Sequence, residues 1–225
     1  MLVSLAAPTV QAAPKSRMVR PNEPGSGNLV AYVERGGIPL RSRPNGRPVG
    51  SLGSRTVYGS PLAVPVVRRR GSWLGVVSAA MPNGRLGWID SRSRGLRFAH
   101  VRLELEADLS RRLLRVWVRG RVVRRIPIGV GRAGSRTPTG RFSITDKLRG
   151  RDYGSYYGCC ILALSGHQTN TPAGWQGGDR LAIHGTNDPG SIGVPSSAGC
   201  LHARREDLNV LMRRVPLGTP VLIRR

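Results

Sequence analysis

The chain has 225 residues, room for one large domain or two small ones, and 39% of them are hydrophobic, enough to fill a core. Its formal charge is +24, and nearly all the positive charge is arginine, Lys15 and Lys147 being the only lysines. Such a field draws polyanions in general, acidic polymers of a cell envelope among them, but no groove-binding or RNA-stacking motif accompanies it, so nucleic acid is not expected as a partner.

The first dozen residues are small and apolar and end in Val10-Gln11-Ala12, with small side chains where a signal peptidase reads. A positive leader is missing, and the run is too short and too broken by Pro8 to span a bilayer, so no transmembrane segment is expected. Ala13 to Asn28 is rich in Pro, Gly and Ser and reads as a linker. Residues 1–28 are therefore read as a truncated secretory signal with its linker, and the protein is expected outside the cytoplasm, in the wall, the periplasm or the medium. The competing reading is a disordered tail.

From Leu29 the pattern changes to short β-runs: LVAYVE, IPLRSRP, TVYGSPLAVPVVRR, SWLGVVSA and GRLGWID. Asn45-Gly46 and Asn83-Gly84 are strong turn signals. Several short strands at this spacing suggest a small all-β barrel. Pro39-Leu40-Arg41-Ser42-Arg43-Pro44, Trp73-Leu74-Gly75-Val76-Val77 and Gly87-Trp88-Ile89 give residues 29–91 a resemblance to bacterial SH3-like domains. Trp73 and Trp88 are expected in its core, because a small barrel needs large side chains. Residues 92–99 read as a short polar connector.

A second domain is expected over residues 100–225. VRLELEADLSRRLLRVWVRGRVVRRIPIGVG alternates apolar and charged residues around a turn near Gly120, a β-hairpin or meander with one wet face. Arg136 to Ile144 is a turn and strand. Cys159 and Cys160 open a further strand, where alternation puts them on opposite faces. Three cysteines are too few for a disulfide framework, and two adjacent ones lack the spacing for zinc, so no metal site is expected. His167 reads as a surface residue of a loop. Arg204 to Val215 is an amphipathic helix with Leu208, Leu211, Met212 and Val215 on one face, followed by a last strand.

The stretch that bears chemistry is Leu181 to His202, LAIHGTNDPGSIGVPSSAGCLH. Its apolar opening reads as the end of a buried strand, which holds His184 firmly. A loop of Gly, Pro, Asn and Ser leads to Ser197-Ala198-Gly199-Cys200. The helix start just after the cysteine is expected to favour a thiolate. Alone, a cysteine is usually a small buried hydrophobe and a histidine a satisfied polar residue. Together they place a base and a nucleophile at the two ends of one loop, the minimum for acyl transfer through a thioester.

IHGT followed by SxGC resembles the signature of the L,D-transpeptidases, the YkuD-type cysteine enzymes of bacterial cell walls. Asp108-Leu109-Ser110, the Thr137-Pro138-Thr139-Gly140-Arg141-Phe142 turn and the closing Gly218-Thr219-Pro220-Val221 extend the likeness across residues 100–225. The resemblance implies a mainly β chain: an SH3-like barrel, then a YkuD-type β-sandwich or barrel with one or two short helices. It implies Cys200 as nucleophile, His184 as general base and acid, Gly199 as backbone oxyanion donor and Gly185 beside the base. Ser197, His202 and Tyr157 would meet substrate. No metal or organic cofactor is required. The expected reaction takes a peptidoglycan stem peptide onto Cys200 and passes it to an amine, forming a 3–3 cross-link. Water as acceptor would make a carboxypeptidase; loss of chemistry would leave a wall-binding protein. Ala198, His202 and Arg204 depart from the family pattern. All catalytic candidates follow residue 156, so the first domain is expected to be dispensable for chemistry on a soluble donor.

Overall fold

The computed structural model describes residues 27–175 and 177–225, and the secretory-signal reading lies outside them. The described chain is mainly β. Its first sheet has seven strands: β1 (Asn28–Val33), β2 (Ile38–Arg41), β3 (Pro48–Leu52), β4 (Ala63–Arg70), β5 (Trp73–Val76), β6 (Gly87–Asp90) and β7 (Leu96–Val101), in the order β3-β2-β6-β5-β4-β1-β7. Alternation along these strands turns Val33, Ile38, Leu40, Leu52, Val64, Val66, Leu74, Val76 and Ile89 into one apolar core. The expected Asn-Gly turns form, with Asn45 and Gly84 both at positive φ.

Two expectations for this half change. The polar connector is a strand from Leu96 onward, paired with β1 along its full length from Asn28↔Val101 to Val33↔Leu96. As an edge strand, β7 needs no fully apolar face, which is why its sequence reads as polar. Of the two tryptophans, Trp88 is buried. Trp73 is only partly covered, with its indole N–H on Asn45 Oδ1 at 3.1 Å and the Arg41 guanidinium over its ring.

The second half contains β8 (Leu103–Asp108), β9 (Leu113–Val118), β10 (Arg121–Pro127), β11 (Val130–Gly131), β12 (Gly140–Arg149), β13 (Cys160–His167), β14 (Arg180–His184), β15 (Pro195–Ser197), β16 (Leu201–His202), α1 (Arg205–Arg214) and β17 (Pro220–Arg224). Eight of these strands form a sheet in the order β10-β9-β8-β17-β12-β13-β14-β16, while β11 and β15 pair separately. Helix α1 lays Leu208 and Leu211 on the sheet's core. Arg204 makes no side-chain cap there, but Glu206 and Asp207 in the first turn face the positive end of the helix dipole. Among the described residues no helix is long and apolar enough to cross a membrane.

A buried charge cluster ties the chain's end to this sheet. Asp108, with a side chain 2% exposed, meets Arg224 at 2.8 Å and Arg115 at 3.6 Å. Glu106 meets the same arginines at 2.6 Å and 3.1 Å and accepts from the Trp117 indole at 2.9 Å. Burial pushes both carboxyls up; the hydrogen bonds and arginine charges outweigh it and hold them below their ordinary values. β17 is locked to β8 in parallel register from Val221↔Leu105 to Arg224↔Asp108.

The halves touch at several places. Val30, Ala63 and Val101 form an apolar cluster with Leu103 and Leu217, and the Tyr32 hydroxyl donates to the Leu217 carbonyl at 3.4 Å. Gly218, at φ +78°, lies so close to Val30 and Ala63 that a side chain there would collide. Asn28 Nδ2 donates to Glu104 at 3.0 Å, and the Thr56 hydroxyl donates to the buried Asp146.

Candidate active site

β14 delivers His184 and β16 delivers His202, side by side in parallel register (His184↔His202), while Cys200 immediately precedes β16. The buried His184 ring donates from Nδ1 to the Gly185 carbonyl. That bond fixes the tautomer and leaves the Nε2 lone pair free; Nε2 has no partner among the described residues. Burial, and then the neighbouring His202, push the imidazole pKa down to about 3. Cys200 donates its S–H toward the Arg180 carbonyl at 3.9 Å, and burial pushes its thiol up to about 11. The resting pair is thus a neutral thiol and a neutral imidazole. Among the described residues no hydrogen bond joins the Cys200 sulfur to either histidine ring.

This overturns the thiolate expected beside a helix end. Helix α1 starts at Arg205, and β16 intervenes between it and Cys200. The helix dipole acts within about one turn, so the sulfur feels burial instead.

The turn around Cys200 is braced from within. The buried Ser197 hydroxyl donates to the Cys200 carbonyl at 2.6 Å and accepts the Gly199 N–H at 3.0 Å. Ser197 therefore serves the main chain. The Gly199 N–H, expected to face an oxyanion, is already engaged, whereas the Cys200 N–H has no hydrogen-bond partner among the described residues. Gly199 sits at φ +123° with the Gln168 carboxamide where its side chain would be. Gly185 is equally confined: a Cβ there would lie 2.9 Å from the Cys159 nitrogen. Its bareness lets the loop before β13 lie across the end of β14.

That loop presents Tyr156 and Tyr157, whose ring centroids stand 5.5 and 4.9 Å from that of His184. Trp175 extends the aromatic wall from Tyr156 at 6.1 Å, and Tyr153 and Tyr58 continue it toward the first sheet. Tyr156, Tyr157, Trp175, Gln168 and Arg180 surround a small pocket that ends at Cys200. Tyr157 is thus placed to meet a ligand. His202 is buried behind this wall. Its Nδ1 donates to Ser191 Oγ at 3.0 Å, because the Ser191 proton is directed at the Asp188 carbonyl, and its Nε2 receives the Tyr156 hydroxyl at 3.4 Å. It supports Tyr156 and His184 from beneath. Burial lowers the His202 pKa, with Asp188 opposing.

Sequence reasoning missed Gln168, Trp175 and Arg180. Arg180 fixes the head of β14 through Leu164 O, at 3.1 Å from Nε and 2.6 Å from Nη2, and through Thr145 Oγ1 at 3.0 Å. Nothing local in the sequence marks these three, which lie between the end of β13 and the head of β14 and meet Cys200 only through tertiary packing. Cys159 and Cys160 form a disulfide, leaving Cys200 as the free cysteine. Strand alternation does not separate the pair, because β13 begins at Cys160 and Cys159 lies before it.

Residues 103–223 match the family model for the YkuD L,D-transpeptidase catalytic domain. The chain belongs to the YkuD L,D-transpeptidase family. The YkuD protein of Bacillus subtilis, named as an L,D-transpeptidase, is 34% identical over 123 residues, 54% of this chain and 65% of that protein. ErfK/SrfK of Salmonella typhimurium, also named as one, is 31% identical over 112 residues, 44% of this chain and 36% of that protein. The chain therefore spans less than two thirds of either relative's length. The solved L,D-transpeptidase of Mycobacterium smegmatis superposes with a TM-score of 0.43 at 18% identity, over 62% of this chain and 73% of that one. In this YkuD-family chain the matched segment holds His184, Gly185, Ser197, Gly199, Cys200 and His202, together with the aromatic loop.

Proposed function

We propose that the protein is a cysteine acyltransferase that takes a peptidoglycan stem peptide onto Cys200 and passes it to an amine, forming a 3–3 cross-link. What supports this reading is the free, buried His184 Nε2 on the strand beside the free cysteine, under an aromatic wall. The thiol and imidazole pKa values lie too far apart for a resting ion pair. The proton therefore moves from Sγ to His184 Nε2 as the sulfur attacks the peptide carbonyl. The C–S bond forms, and the Cys200 N–H stabilises the oxyanion. The C–N bond breaks, and the imidazolium returns its proton to the departing amine. An acceptor amine then attacks the thioester, forming a new amide and restoring the thiol. No step calls on a metal or organic cofactor.

The same proposal assigns the first sheet an SH3-like, wall-docking role and the enzyme a place outside the cytoplasm. Brief incubation with a stem tetrapeptide donor and an amine, followed by peptide mapping, tests it. The expected result is an acyl adduct on the peptide containing Cys200 and an amide product by mass. Release of free acid alone would indicate hydrolysis, and an adduct on Cys159 or Cys160 would overturn the assignment of the nucleophile.

A further inference from the structure

His167 ends β13, and the connection between β5 and β6 answers three of its four polar groups. The Asn83 carboxamide donates through Nδ2 to the His167 carbonyl at 2.6 Å and accepts the His167 N–H on Oδ1 at 2.9 Å. This is the pair of bonds a neighbouring strand would supply. His167 Nε2 lies 2.9 Å from the Ala79 carbonyl, and Nδ1 lies 2.8 Å from Asp179 Oδ2. The main chain at the end of β13 is thus held on one edge by a side chain from the other half of the molecule and on the other by β14, through the His167↔Arg180 pair and the Gln168 N–H on the Asp179 carbonyl.

The next residue is Gln168, which is buried. Its Nε2 donates to the Ala198 carbonyl at 2.8 Å, with the Ser135 and Arg136 carbonyls at 3.3 Å, and its Oε1 accepts from Asn170 N at 3.2 Å. The same carboxamide fills the space beside Gly199 where a side chain would stand. It therefore fixes the Ala198–Gly199 peptide and packs against the Gly199 α-carbon, from which the Gly199–Cys200 peptide departs. The Gly199–Cys200 peptide carries the Cys200 N–H, so where Gln168 holds the Gly199 α-carbon bears on where that unpaired N–H points.

We propose that Asn83 is a positioning residue for the Cys200 site. By holding the His167 main chain it sets Gln168, and through Gln168 it sets the direction of the Cys200 N–H. Asn83 touches neither substrate nor sulfur. Of the proposed function this inference uses only the oxyanion-donor role of the Cys200 amide. It replaces the expectation that the first half is dispensable for chemistry on a soluble donor.

The test compares two reactions of Cys200 in the full chain. Acylation by p-nitrophenyl acetate passes through a tetrahedral oxyanion and needs the N–H; alkylation by iodoacetamide has no oxyanion and reports only access and ionisation of the thiol. Asn83→Ala is expected to slow acylation about ten- to hundredfold, as small displacements of oriented groups do, and to leave alkylation unchanged. Asn83→Asp keeps the acceptor for the His167 N–H and loses the donor, so its acylation rate should fall between those of Asn83→Ala and wild type. Equal acylation by wild type and both variants would overturn the proposal, as would a parallel loss of acylation and alkylation, the mark of general loosening. If Asn83→Ala does not fold, acylation of Asn83→Asp at the wild-type rate overturns it alone. The ester needs no stem peptide. Failure of the wild type to transfer a stem peptide would sink the proposed function and leave this comparison intact.

Discussion

Burial moves Cys200 and His184 in opposite directions on the pKa scale and leaves both uncharged. The thiol rises to about 11 and the imidazole falls to about 3, because each charged form loses water and the backbone hydrogen bonds at Ala182 and Gly185 offset only part of that loss. An enzyme with a preformed thiolate–imidazolium pair alkylates rapidly at neutral pH; this one should not. The alkylation rate of Cys200 is expected to rise about tenfold per pH unit from neutrality toward pH 11, where a free thiol levels off near 8.5. Iodoacetamide labelling across pH, read by peptide mapping, measures it. A plateau below pH 8 would show a thiolate stabilised at rest. His184→Ala should slow acyl transfer by about 10²–10⁴, the usual contribution of a positioned base, and should leave the alkylation profile little changed. What distinguishes base from electrostatic partner is that split between the two rates.

Elements differ in how far they can be read from one dimension. The strand-end His184 and the SxGC turn lie within one continuous segment, so their types and spacing are legible. The β8–β9 hairpin is legible because one of its faces is wet and its alternation is clean. β7 is not, because an edge strand pairs on one side and tolerates Arg97 and His100. The bounds of α1 are legible to within one residue, but Leu201 and His202, which form β16, look like a continuation of the turn. Gln168 and Asn83 are invisible as site residues, since only tertiary packing brings them there. Glu106 and Asp108 show in the sequence as alternation and not as a lock. Asp108→Ala removes a buried carboxylate bonded to Ser110 Oγ and the Arg111 N–H and leaves Arg115, which is 11% exposed, with Glu106 as its remaining carboxylate partner. Arg224 reaches solvent, which softens the loss, so the expected cost is about 2 kcal/mol. The sign with pH follows from the lowered carboxyl values. Their contribution is present above the unfolded pKa near 4 and fades as pH falls through the folded values. Urea unfolding of wild type and variant at neutral pH and near pH 3 checks both points: the gap between them should narrow in acid, and a constant gap would mean the carboxylate charge contributes nothing.

Charge governs how the whole molecule meets its surroundings. Thirty-six basic residues face twelve acidic ones, so even complete one-to-one pairing leaves most arginines without a carboxylate. Several acids are already committed within the fold, Glu106 and Asp108 to the β17 lock and Asp207 to Arg124. The remaining basic residues are spread over both halves. A surface of this kind should hold the protein on an anionic envelope polymer by summed long-range attraction, separately from recognition at the Cys200 pocket. Such attraction is screened over about 10 Å at 0.1 M salt and about 3 Å at 1 M, whereas hydrogen bonds and apolar contacts in a pocket are affected far less. Retention on an acidic polysaccharide matrix is therefore expected to fall steeply across that range. Acylation of Cys200 by a neutral soluble ester should stay nearly constant over the same range. Both are measured on one preparation, by elution position and by adduct mass. Salt-independent retention would mean that a specific site, and not the arginine field, anchors the protein to the polymer.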